Sequence, residues 1–178
     1  MKDSELVTEQ TPSIADWPLQ LREVFKLCSK QGIAFVGVGH PFRGDDYVGS
    51  FVLKELGKHS NFPPSIHLYD AEDNVESFVS KLVELKPGCI IFVDSCQLNA
   101  RPGETRLVPV AETGYPFFTT HGIPLKVLCE RMLPRCQAWV LAVQPEQVEF
   151  SDTLSPTVRR AAFTICDVIS KSVKEIIA

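Results

Sequence analysis

No stretch of this 178-residue chain approaches the roughly 18 uninterrupted apolar residues needed to span a bilayer, so no membrane insertion is expected. Met1-Lys2-Asp3-Ser4-Glu5 is polar and partly acidic, and no apolar segment follows it. That excludes an ordinary secretory signal and makes the cytoplasm the expected compartment. A basic stripe is also missing: net charge is −4, whereas a protein that draws affinity from phosphates concentrates Lys and Arg, so nucleic acid is not an expected partner. The six cysteines are scattered among mostly apolar neighbours, with no CxxC pair. They read as free buried thiols in a reducing compartment rather than as disulfides or a zinc knuckle. GxSxG, HExxH and P-loop signatures are absent as well. Gly37-Val38-Gly39 opens like a dinucleotide fingerprint, but Phe42 stands where the third glycine belongs, and Asp45-Asp46 would repel a pyrophosphate.

What is present is a chain of ordinary globular composition, 44% hydrophobic and 22% charged, long enough for one domain with a complete core. Residues 1–12 read as a flexible polar tail and 13–178 as a single α/β domain whose first element is an added helix over 13–31. Ser13 would cap that helix, and Ile14, Trp17, Leu21, Val24, Phe25 and Cys28 follow at helical spacing. Ile33–Val38 is a continuous apolar run, the mark of a strand buried on both faces, as in a parallel sheet. Further strands are expected at Ile66–Tyr69, Cys89–Val93 and Ala138–Val143, with Thr105–Val110 less clearly parallel. Helices are expected from Val48, over Val75–Leu85, over Ile123–Leu133 and over Pro156–Ile177. Alternating strands and helices predict a three-layer α/β/α sandwich around a twisted, mostly parallel sheet.

Polar residues gather where these strands end. His40, Arg43, Asp45 and Asp46 follow the first strand, Asp70 and Asp94 each directly follow an apolar run, and His121 precedes a helix. In open α/β sheets ligands bind outside the carboxyl ends of the strands, so these groups should converge on one cleft. Each has an innocent alternative. One of Asp45 and Asp46 should cap the following helix, leaving the other to face the cleft. Asp94 alone suits bonding of loop amides, and His121 alone suits a hydrogen-bonded loop. Together, two carboxylates and an imidazole suit a divalent metal of intermediate character, zinc or nickel, with positions left open for water or substrate. Such an ion polarises a carbonyl or activates water, the logic of metal-assisted hydrolysis.

The segment from Gly37 to Gly49, GVGHPFRGDDYVG, resembles the GxGNPLRGDDGVG signature of the hydrogenase maturation endopeptidases. Further segments resemble that family in order: Asp70 after a short strand, Val93-Asp94-Ser95 with Arg101-Pro102-Gly103-Glu104, Thr119-Thr120-His121-Gly122, Val143-Gln144-Pro145, and Glu149-Phe150 through Pro156. The resemblance covers about residues 33–170. It implies a peptidase that removes the C-terminal extension of a nickel–iron hydrogenase large-subunit precursor, its partner. It also implies Asp46, Asp70 and His121 as the catalytic, metal-contacting trio. Nickel, brought by the precursor, would be the ion, with zinc or cadmium as surrogates. Asp94 would support the trio from behind, and Asp45 would cap or organise its loop. The chain departs from the family pattern in four places: His40 replaces asparagine, Tyr47 a glycine, Ala71-Glu72 a glycine pair, and Gln97 an acidic residue. His40 would keep the asparagine's loop bond or add a fourth ligand. A non-catalytic nickel-checking or assembly protein on the same fold is the main rival, and an unrelated small-molecule hydrolase or nucleotide binder the weaker one.

Overall fold

The computed structural model describes residues 16–28, 30–59, 61–112, 119–120, 123–132 and 136–177. Strands β1 (Ile33–Val38), β2 (Ile66–Glu72), β3 (Cys89–Ser95) and β7 (Gln137–Val143) run parallel, and β4 (Thr105–Pro109) pairs antiparallel with β7. The sheet order is β2-β1-β3-β7-β4. β5 (Thr119–Thr120) and β6 (Ile123–Pro124) form a separate two-stranded ribbon just before α4 (Leu125–Met132). The expected helix at 123–133 therefore starts two residues late, because its first residues pair as strand. β4 is the antiparallel exception in an otherwise parallel sheet, as its weaker apolar run suggested.

Helices α1 (Trp17–Cys28), α2 (Val48–His59) and α5 (Pro156–Ile177) cover one face, and α3 (Glu76–Leu85) and α4 cover the other. Phe35, Ile91 and Leu141 point to the first face, and Val36, Phe92 and Val140 to the second. All six are wholly buried, so the continuous apolar runs follow from two cores sharing one sheet. The α1 helix ends at Cys28, short of the expected residue 31. Gln31 N–H donates to the Cys28 carbonyl at 3.0 Å, and Gly32 turns the chain at φ +84. The expected capping residue, Ser13, and the tail before it lie outside the described residues. No helix among the described residues is long and apolar enough to cross a membrane.

The six cysteines are free thiols, four of them buried. Burial pushes the thiols of Cys129, Cys136 and Cys166 up to about 12, with nearby negative charge adding to the effect, so they stay protonated and inert.

The topology positions the site. From β1 the chain crosses over α2 to β2 at the edge, then returns through α3 to β3 on the other side of β1. The strand order thus reverses between β1 and β3, and such a reversal opens a crevice at the carboxyl ends. The loop after β1 and the end of β3 meet at this point.

Candidate functional site

Val48, Val52, Leu53 and Leu56 pack α2 onto the sheet, and at its first turn backbone meets backbone. A Cβ on Gly49, in the first turn of α2, would lie 1.9 Å from the Val93 carbonyl oxygen and 2.3 Å from that of Val38. One on Gly39 would lie 1.8 Å from the Asp46 carbonyl oxygen, and Gly39 itself has φ +136. Only glycine at both places lets the loop fold back so tightly. A short 3₁₀ turn, Gly44–Tyr47, carries Asp45 and Asp46 into the helix.

The two aspartates then diverge. Asp45 is completely buried, and its carboxylate accepts from the backbone N–H groups of Glu146 (2.8 Å), Gln147 (3.0 Å) and Ser155 (2.7 Å). The Asp45 amide donates to the Gln147 carbonyl at 2.9 Å and the Gly44 amide to that of Ser151 at 2.9 Å. Asp45 therefore locks the β1–α2 loop to the segment that enters α5. It does not cap α2, as one of the pair was expected to, because the remote amides already fill its acceptor sites. Asp46 turns to its own loop, where its Oδ2 accepts from the His40 amide at 3.0 Å. His40 Nδ1 in turn accepts from the Phe42 amide at 3.2 Å, so the ring bonds within the loop as an asparagine could, and only Nε2 is left for a ligand.

Asp94 stands next to last in β3, beside the β1–α2 loop. Its carboxyl is pushed up from 3.8 to about 7, first by burial and then by the Asp46 charge, with the Ser95 amide partly opposing. Crowding of this kind is what a cation would relieve. The same two carboxylates add to burial in holding the Cys96 thiol well above its ordinary range.

Asp70 sits on the other side of β1. Ile66 and Leu68 pack toward α2, and Asp70 is next in that alternation, so its side chain faces α2 as well. There Lys54 Nζ lies 3.1 Å from Asp70 Oδ2 and 3.3 Å from Glu72 Oε1. Lys54 also lies 5.1 Å from the centre of the Tyr47 ring. Burial works against its charge, but hydrogen bonds to Tyr47 and Asp70 prevail and raise its pKa. Glu72 adopts φ 49, the left-handed region where the family pattern has glycine.

The structure thus brings Asp46 and Asp94 together, holds Asp70 at the adjacent strand end through Lys54, and assigns Asp45 to the scaffold. His121 lies outside the described residues, whose side chains alone contain no cluster of three metal-capable groups. Carboxylate oxygens at a crowded crevice suit a divalent ion chemically, with a third donor to come from beyond the described residues.

Two further residues are structural anchors: Lys54, and Gln144 of the Val143-Gln144-Pro145 segment. Lys54 carried no signal of its own, although the departures at Tyr47 and Glu72 mark its surroundings. Gln144, buried, accepts from Leu98 N–H at 2.7 Å and donates to Gln97 Oε1 at 3.0 Å, and so ties the loop after β3 to the end of β7.

The doubly covered, mostly parallel sheet is also the fold of solved hydrogenase maturation proteases. HycI from Thermococcus kodakarensis superposes with a TM-score of 0.78 at 24% identity, covering 87% of this chain and 99% of that one. HybD from Escherichia coli superposes at 0.68 with 17% identity, covering 81% and 93%. In sequence, the Hydrogenase 3 maturation protease of Escherichia coli is 24% identical over 130 residues, 72% of this chain and 82% of that protein. A Methanocaldococcus jannaschii protein provisionally described as a hydrogenase maturation protease is 27% identical over 138 residues, 73% of this chain and 80% of its own. No protein-family model matches the chain. In sequence and in fold the chain is similar to hydrogenase maturation proteases.

Proposed function

We propose that this chain is a cytoplasmic metal-dependent endopeptidase that clips the C-terminal extension from a nickel–iron hydrogenase large-subunit precursor. The observation that carries the reading is the kinship with named maturation proteases over nearly three quarters of the chain, combined with an acidic crevice at the sheet's reversal point. Because those relatives are named as proteases, the assembly-only reading is not favoured.

Asp46 and Asp70 would offer carboxylate oxygens and His121 an imidazole nitrogen to a nickel ion held by the precursor, with zinc or cadmium as surrogates. Bound there, the metal supplies a Lewis acid that orients the scissile region or activates water. The chain's own groups do the rest. The His40 amide orients the Asp46 carboxylate, and the Asp45 lock fixes the loop that presents it. Asp94, close to half-protonated near neutrality, can hold or release a proton at its carboxyl beside Asp46.

Intact mass of the nickel-loaded precursor, before and after incubation with the protein or its His121→Ala variant, tests the proposal. Loss of a defined C-terminal peptide with the unmutated protein alone is expected. An uncut precursor that is nickel-loaded and bound would overturn the peptidase reading, and equal cutting of the nickel-free precursor would overturn recognition through nickel.

A further inference from the structure

We infer that Lys54 is the resident counter-ion of Asp70, holding that carboxylate while no metal is bound and giving it up only to an ion that competes successfully. The inference rests on the reading of Asp70 as a metal contact and adds a threshold to it. Such a threshold disfavours free solvated ions relative to an ion the precursor already holds, because the precursor's own ligands add to the attraction.

Placement carries the inference. Lys54 sits on α2, facing the strand end that carries Asp70, and its ammonium lies 3.1 Å from Oδ2. Two further groups fix it there: the Glu72 carboxylate at 3.3 Å and the Tyr47 ring at 5.1 Å. Tyr47 and Glu72 stand at positions where the family pattern has glycine. Glycine could offer neither an anion nor a ring face, so these departures build one feature, a seat for a cation beside Asp70. Glu72 even occupies left-handed backbone, at φ 49, in doing so. Lys54 occupies Asp70 Oδ2, while Oδ1 accepts from the Glu72 amide at 3.3 Å. A divalent ion at Oδ2 takes the place of the ammonium and is repelled by it, so metal entry there moves Lys54 aside, leaving it to Glu72.

Nickel titration of the full-length protein by calorimetry tests the inference. Lys54→Gln should bind free Ni²⁺ roughly two- to fivefold more tightly, the range that a partly exposed ion pair of this kind represents. The gain should narrow as salt rises. Lys54→Arg, which keeps the charge, should bind like the unmutated protein. Lys58→Gln controls for net charge: Lys58 lies one turn further along α2 and pairs with Glu55 at 2.6 Å. In an Asp70→Asn background the effect of Lys54→Gln should vanish.

Unchanged or weaker nickel binding by Lys54→Gln, with Asp70→Asn still weakening it, would overturn the role of Lys54 and leave the metal reading intact. An equal gain in Lys58→Gln would do the same, by showing a general field effect. Undiminished binding in both Asp46→Asn and Asp70→Asn would instead sink the metal reading, and the inference with it.

Discussion

Asp45 and Asp46 are chemically identical neighbours, yet their removal should have opposite consequences. Asp45→Ala strips the partner from three backbone N–H groups, those of Glu146, Gln147 and Ser155, at a side chain with no exposed surface. Each buried amide left unpaired costs about 1–3 kcal/mol. Relief from no longer burying a carboxylate, and water entering the vacated space, offset part of that total. A net loss of about 3–5 kcal/mol is expected, the size seen when one member of a buried charged network is removed. Asp46→Ala removes a bond from one amide at a half-buried position, worth about 1 kcal/mol. Asp45→Asn recovers only part of the loss, because its amide nitrogen must face amide donors on one side of the clamp. Urea unfolding followed by circular dichroism reads all three variants, and the midpoints should fall in the order unmutated, Asp46→Ala, Asp45→Asn, Asp45→Ala. Processing and nickel binding should fail in Asp46→Ala while its fold persists. If Asp45→Ala stays within about 1 kcal/mol of the unmutated protein, or Asp46→Ala costs as much, the division of labour argued here is wrong.

Two other expectations concern the same crevice. The Asp94 carboxyl is raised from 3.8 to about 7 in the folded protein, so the folded state holds the proton that the unfolded chain releases. Stability of the metal-free protein should therefore fall as pH rises from about 4 to about 7, by at most about 4 kcal/mol from this group. Asp94→Asn should flatten that part of the profile, and an unchanged slope in denaturation across these pH values would contradict the assignment. Along α2, alanine should act with opposite sign at two glycines. Gly49→Ala meets backbone oxygen at 1.9 Å and should cost at least about 3 kcal/mol or prevent folding. Gly57→Ala meets nothing within 4 Å and should stabilise the helix by up to about 1 kcal/mol, read as a rise in thermal midpoint.

Composition and local pattern determined the layers of this protein. The Ile33–Val38 run could only be a strand buried on both faces, and the apolar stripe of Pro156–Ile177 could only be a long covering helix, because burial acts through residues close in sequence. The same logic put Asp46, Asp70 and Asp94 at strand ends. What each carboxylate does there was settled by partners that no local pattern announces. Asp45 bonds amides about a hundred residues away, and Lys54 reaches across from α2 to the end of β2. The neighbouring Asp46 was left to its own loop because its side chain projects in another direction. Hydrogen bonds and ion pairs act over a few ångströms in space, so only the packed sheet, with α2 pressed backbone to backbone against it at Gly49, decided which aspartate braces the scaffold and which faces the crevice.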